Sequence, residues 1–148
     1  GAHSAASQPP FSVDLSHSAR MPVRSELVLR LPNSPGTLSQ VCTVLSAAGV
    51  PAVALMLGPG GVLRLVVENT GRAISTLREH GHKVTEHEVL VASIGADRTA
   101  AAGVLASVAR AGIDIEYAYT GVSSALDQGM LLVLGVDDAV RAATAAGL

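Results

Sequence analysis

The chain has no tryptophan, one phenylalanine, two tyrosines and one cysteine in 148 residues. Cys42 stands alone, so no intrachain disulfide can form and nothing points to an oxidising compartment; a cytoplasmic location is expected. The formal net charge of -2 gives no broad positive field for nucleic acid or an anionic membrane. No apolar run approaches the ~20 residues of a spanning helix. No nucleophile sits beside a base at a recognisable spacing, so the chain does not read as an enzyme. Gly58-Pro59-Gly60-Gly61 lacks the lysine and the following helix of a phosphate loop. His80, His82 and His87 are close in sequence, but no cysteine or carboxylate set completes a metal site. His80 also ends a predicted helix, where a histidine is favoured without any metal. Neither metal nor cofactor is expected. Arg30 and Arg64 would share one face of neighbouring strands, and an exposed pair is the default reading. With 49% hydrophobic but 2% aromatic residues, the core must be built from Ala, Val, Leu and Ile.

What the chain does have is a repeat. Leu27, Val28, Leu31, Val41, Cys42, Leu45, Ala48, Gly49 and Val50 recur 63 positions later as Leu90, Val91, Ile94, Val104, Leu105, Val108, Ala111, Gly112 and Ile113. The first 20 residues, rich in Ser, Ala, His and Pro, stand outside it and read as a tag or disordered tail before Met21. A short strand over 11–15 is the alternative for part of that tail.

Each copy reads as strand, turn, helix ending in Ala-Gly, and strand. In the first, the apolar run 26–31 is a strand. Leu38, Val41, Cys42, Leu45 and Ala48 make one stripe of a helix over 35–48, with Cys42 a buried packing residue. Strands follow over 50–57 and 62–67, then a helix over 71–80 and a short strand over 83–86. The second copy repeats the order at 89–94, 98–111, 113–120, 130–136 and 137–146, without a clear last strand. The fold class is therefore α+β, from two βαββαβ units over residues 21–87 and 88–148. Such a unit packs two helices on one sheet face. Its other face should be polar, yet residues 52–57 and 130–134 are apolar on both faces. A second sheet is the simplest cover, which argues for a homodimer.

The copies differ at the first turn. In Leu31-Pro32-Asn33-Ser34-Pro35-Gly36-Thr37-Leu38, Ser34 suits the helix N-cap and Pro35 the first helical position. The amides of Gly36, Thr37 and Leu38 then have no helical partner and favour a carboxylate. The Asn33 amide both donates and accepts. Together these groups suit the zwitterionic end of a free amino acid. A capped helix without ligand fits the turn as well.

The Asn33-x-Pro35-Gly36-x-Leu38 turn, the Ala48-Gly49-Val50 exit and the segment from Ala111 to Tyr119 resemble ACT domains, and more narrowly the small proteins made of two tandem ACT domains. The resemblance covers residues 24–148. It implies ferredoxin-like units with side-by-side antiparallel sheets, helices on one face and a non-catalytic, allosteric role. It also implies an amino acid bound between domains. Asn33, Ser34, Pro35, Gly36, Thr37 and Leu38 would form one side of that site, and Asp114, Ile115, Glu116 and Tyr117 the other. The pseudo-symmetric site would join Ala96, Asp97, Arg98 and Thr99 to Pro51 and Ala52. There Arg98 and Thr99 replace Pro-Gly, so one competent and one degraded site are expected. The implied partners are a free amino acid, a second copy of the chain and an unidentified regulated protein. The other reading is a dimerisation or interaction module without a small-molecule ligand.

Overall fold

In the computed structural model, which describes residues 21–97, 99–123 and 129–148, the strands close on themselves. The tail before Met21 lies outside the described residues, as does Arg98. The elements run β1 (Val23–Arg30), α1 (Thr37–Ala47), β2 (Ala52–Leu57), β3 (Val62–Val67), α2 (Thr70–Glu79), β4 (Thr85–Gly95), α3 (Ala100–Arg110), β5 (Tyr117–Val122), β6 (Met130–Gly135) and α4 (Ala139–Ala145). The strand order around the barrel is β1-β3-β2-β5-β6-β4, with β4 returning to β1, and every named pairing is antiparallel.

The two short strands expected at 83–86 and 89–94 are one long strand, β4, and the expected boundary at residues 87–89 falls inside it. Residues Thr85 to Leu90 pair with β1, and Leu90 to Gly95 pair with β6. One strand thus serves as last strand of the first unit and first strand of the second. The slot left by the second unit's missing fourth strand is filled by the start of β1. There Val23 pairs with Leu90 and Arg24 with Val89, and the Val91 amide donates to Pro22 O at 2.7 Å.

Strand alternation sorts the side chains into three cores. Leu27, Leu29, Leu63, Leu65 and Val67 point outward under α1 and α2, meeting Val41, Leu45, Ala73 and Leu77. Leu90, Ala92, Ile94, Leu132 and Leu134 do the same under α3 and α4. The opposite strand faces form a third core inside the barrel, from Ala54, Val66, Val89, Val91, Tyr119, Leu131 and Val133. The second apolar face is therefore covered by the other half of the same chain. The expected side-by-side sheets are instead one closed barrel, and its inner face is not open to a second copy.

Helix and strand ends differ from expectation for local reasons. The first helix starts at Thr37, not Pro35, because Gly36 takes a left-handed conformation (φ 84°) at the N-cap and breaks the helical path. Ser34 caps nothing; its amide donates to Pro32 O (2.9 Å) within a turn. Cys42 is half-buried rather than enclosed.

Barrel closure is uneven. On one side β5 pairs with β6 from Tyr117↔Gly135 to Val122↔Met130. On the other it meets β2 at a single pair, Ala54↔Gly121. The approach there is so close that a Cβ on Gly121 would collide with the Val53 carbonyl and Ala54.

Candidate functional site

The first turn lines a cleft of about 510 Å³. Asn33, Ser34 and Thr37 form one wall, and Leu57, Gly58 and Gly61 the facing one. Gly61 adopts φ 76°, and its Cβ would run into Leu31 O, so no other residue lets the two walls meet here. The Leu31 amide fixes the junction by donating to Gly61 O at 2.7 Å. The Thr37 hydroxyl reaches Pro32 O and Ser34 O, both at 3.3 Å, and holds the turn. The first bond of α1 runs from the Gln40 amide to Gly36 O (2.9 Å). The amides of Thr37, Leu38 and Ser39 thus have no intrahelical partner and carry the positive end of the helix dipole. Asn33 to Gly36 are exposed, whereas Thr37 and Leu38 are half-buried.

The second expected arm is not part of this cleft. Asp114 and Glu116 are exposed, Ile115 packs on the second core, and Tyr117 begins β5. The antiparallel Ala54↔Gly121 register does run the start of β5 toward the end of β2, the end that lines the cleft.

At the pseudo-symmetric turn, Asp97 Oδ1 accepts from the Thr99 amide and the Thr99 hydroxyl, both at 2.8 Å. These bonds, the backbone one foremost, hold the Asp97 carboxyl below its ordinary pKa. The group is committed to shaping the start of α3.

A second constellation, which the sequence reading missed, lies inside the barrel. Glu26 is 0% exposed and is the buried charged side chain among the described residues. Its Oε1 accepts from Arg64 Nη1 at 2.9 Å and from Tyr117 Oη at 2.6 Å. His87 Nε2 stands 2.7 Å from Oε1 and 2.8 Å from Tyr117 Oη, placed to donate to the carboxylate. Glu26 Oε2 accepts from Tyr119 Oη at 2.6 Å. The Arg64 guanidinium also lies 4.0 Å over the Tyr117 ring. Both phenols are pushed well above their ordinary pKa, by burial first and then by their bonds to Glu26 and its charge. They stay protonated as donors.

The backbone explains why these five side chains meet. Glu26, Arg64, His87, Tyr117 and Tyr119 all sit on inward-facing positions of β1, β3, β4 and β5. Tyr117 lies flat on Gly135, its cross-strand partner, whose Cβ would sit inside the phenol ring. Arg30 does not pair with Arg64; its Nη1 donates to Gly60 O at 2.7 Å. His87 is thus a hydrogen-bond partner of Glu26, while His80 Nδ1 lies 2.9 Å from Thr76 O on its own helix. No group of three or more metal-ligating side chains is found among the described residues. Among them, no helix is long and apolar enough to cross a membrane.

The barrel of two half-repeats matches a known family, the ACT domain pair, over residues 21–145. The chain belongs to the ACT domain pair family. Several solved structures share its fold. Protein BT0572 from Bacteroides thetaiotaomicron superposes with a TM-score of 0.70 at 23% identity, covering 85% of this chain and 88% of that one. The ligand-free regulatory subunit of aspartate kinase from Thermus thermophilus gives a TM-score of 0.54 at 18% identity, covering 87% and 97%. Aspartokinase alpha and beta subunits give 0.52 at 16% identity, covering 87% and 99%. Among curated proteins, none matches the chain.

Proposed function

We propose that this ACT pair is a non-catalytic regulatory protein that binds a free amino acid between its two units. The observation that carries the reading is the cleft at the first turn. It is lined by Asn33, by Thr37 at the amide-rich start of α1 and by a glycine-bearing wall, which supports the reading. The ligand's carboxylate would meet the amides of Thr37 and Leu38, with Asn33 beside it. Its ammonium group would meet Asp114 or Glu116 at the start of β5. The commitment of Asp97 to Thr99 supports a single competent site per chain. The similarity in fold to a regulatory subunit of aspartate kinase supports the regulatory class.

A second reading has its own observation. Leu55 and Leu57 on β2, Val122 on β5 and Met130 on β6 are 38%, 46%, 65% and 42% exposed. Apolar side chains left in water on adjacent strands suit association with a second copy or a regulated protein. An interaction module without ligand would need only this surface.

A thermal-shift screen of the twenty amino acids separates the two. A ligand at 100 times its Kd adds about 2.7 kcal/mol of stability. A selective shift that disappears in Asn33→Ala, with the unliganded melting temperature kept, is the expected result. No shift with any amino acid on a folded chain favours the interaction module.

A further inference from the structure

The Glu26 cluster spans the barrel from the well-paired β1–β4 junction to β5, the strand with least else to hold it to the first unit. β5 is tied to β6 along its whole length but to β2 by one pair, Ala54↔Gly121. Glu26 and Arg64 belong to strands of the first unit, and Tyr117 and Tyr119 to β5 of the second. Three short bonds therefore cross the barrel: Tyr117 to Glu26, Tyr119 to Glu26 and Arg64 to Tyr117. We propose that this cluster is an interdomain latch: it holds β5 against the first unit and, through Tyr117, fixes the adjoining arm Asp114–Glu116 relative to the first-turn cleft.

The distance between the arm and the cleft has few other determinants. Residues 114–116 precede β5, and Glu116 is bonded by its amide to Gly135 O within the second unit (2.8 Å). That bond ties the arm to β6, not to the first unit. The seating of Tyr117 on Gly135 makes the phenol a rigid lever, since the ring cannot sink toward β6 and its hydroxyl must reach across to Glu26. His87, on the strand shared by both units, adds a donor from the barrel wall. A carboxylate with four donors from three other strands has one low-energy arrangement, so the latch is either made or broken. When it is broken, the seam can open at Gly121 while the ladders on either side persist. A site assembled from two arms then binds more weakly, by the fraction of molecules in which the arms are in register.

The role in ligand binding rests on the amino-acid site proposed above; the latch itself does not. The test compares the full chain with Tyr117→Phe, Tyr119→Phe and the control Leu77→Ala. Leu77 is a buried side chain in the first unit's helix-covered core, away from the seam. Amide hydrogen exchange is read at residues 52–57 and 117–122 and at the β1–β3 and β4–β6 ladders. The latch predicts at least a tenfold faster exchange at the seam-facing amides of β2 and β5 in Tyr119→Phe and at least a threefold faster one in Tyr117→Phe, with the two ladders kept. Leu77→Ala should instead raise exchange through global unfolding. Phenylalanine variants that match the Leu77→Ala pattern, or leave the seam unchanged, overturn the latch. In calorimetry with the amino acid that stabilises the wild type, Tyr117→Phe should raise Kd at least fivefold; an unchanged Kd overturns the link to the ligand arm. If no amino acid binds the wild type, the site reading fails, and the exchange comparison still decides the latch.

Discussion

Replacing Tyr119 by phenylalanine removes a single oxygen and should cost the fold about 3 kcal/mol, toward the upper end for stranding a buried charged acceptor. The magnitude follows from three features. Tyr119 Oη lies 2.6 Å from Glu26 Oε2, and among the described residues it is the donor that oxygen has. Glu26 is fully enclosed, so water cannot replace the lost bond without entering the barrel. The ring stays and keeps its packing with Val66, Val89 and Leu131, so no cavity term is added. Tyr117→Phe makes an internal comparison. Tyr117 is only half-buried, and Oε1 keeps Arg64 and His87 when the phenol is lost. Its loss should cost about 1 kcal/mol, an ordinary hydrogen-bond increment. Equilibrium urea unfolding followed by far-ultraviolet circular dichroism measures both. A drop of about 10 °C in melting temperature should accompany Tyr119→Phe. A cost below that of Tyr117→Phe would refute the view that Oε2 depends on one buried donor.

Further outcomes are expected from the same geometry. The chain has two tyrosines and no tryptophan, so phenolate absorbance reports on the latch alone. Both phenols are raised in the folded state, so their contribution to stability is complete below about pH 10, the ordinary value, and is lost as pH climbs above it. Ionisation of the native chain should come late and together with unfolding; two phenols titrating near pH 10 in a folded chain would contradict the burial argument. Gly135→Ala should destabilise by about 2 kcal/mol through overpacking against the Tyr117 ring and should alter the tyrosine near-ultraviolet signal, while an unchanged signal would mean the ring is not seated there. Leu77→Ala should cost about 3 kcal/mol by leaving a cavity between α2 and the sheet, as read by the same urea titration.

The element order was legible because helix and strand periods were clean in both copies and glycines marked the turns. Gly49 and Gly112 end their helices with positive φ, as the Ala-Gly exits suggested. What the periodicity could not show was where the strands went next. A strand apolar on both faces announces two layers of cover, but not whether a second chain or the other half of this chain provides them. Nor could it show that 83–86 and 89–94 join through Glu86, His87 and Glu88, three polar residues that read as a break and are exposed along one continuous strand. At the first turn, Asn33, Ser34 and Thr37 of the expected residues line a cleft, but its facing wall, Leu57 to Gly61, comes from the β2–β3 connection and was not foreseen. The Glu26 cluster was not foreseen either, because its members are separated by as much as 93 positions in the chain. Its signals were present but scattered: a glutamate within an apolar strand, and both tyrosines of the chain two residues apart on one strand face.

Amide chemical-shift mapping of the full chain is the measurement that decides whether an amino acid is held between the first turn and the start of β5. The amino acid with the largest thermal shift would be titrated in. Perturbations are expected at Asn33, Gly36, Thr37 and Leu38, at Gly58–Gly61, and at Asp114–Tyr117, with the second turn at Ala96, Asp97 and Thr99 unmoved. Perturbations centred on that second turn, or absent from both the cleft and the β5 arm, would contradict that placement.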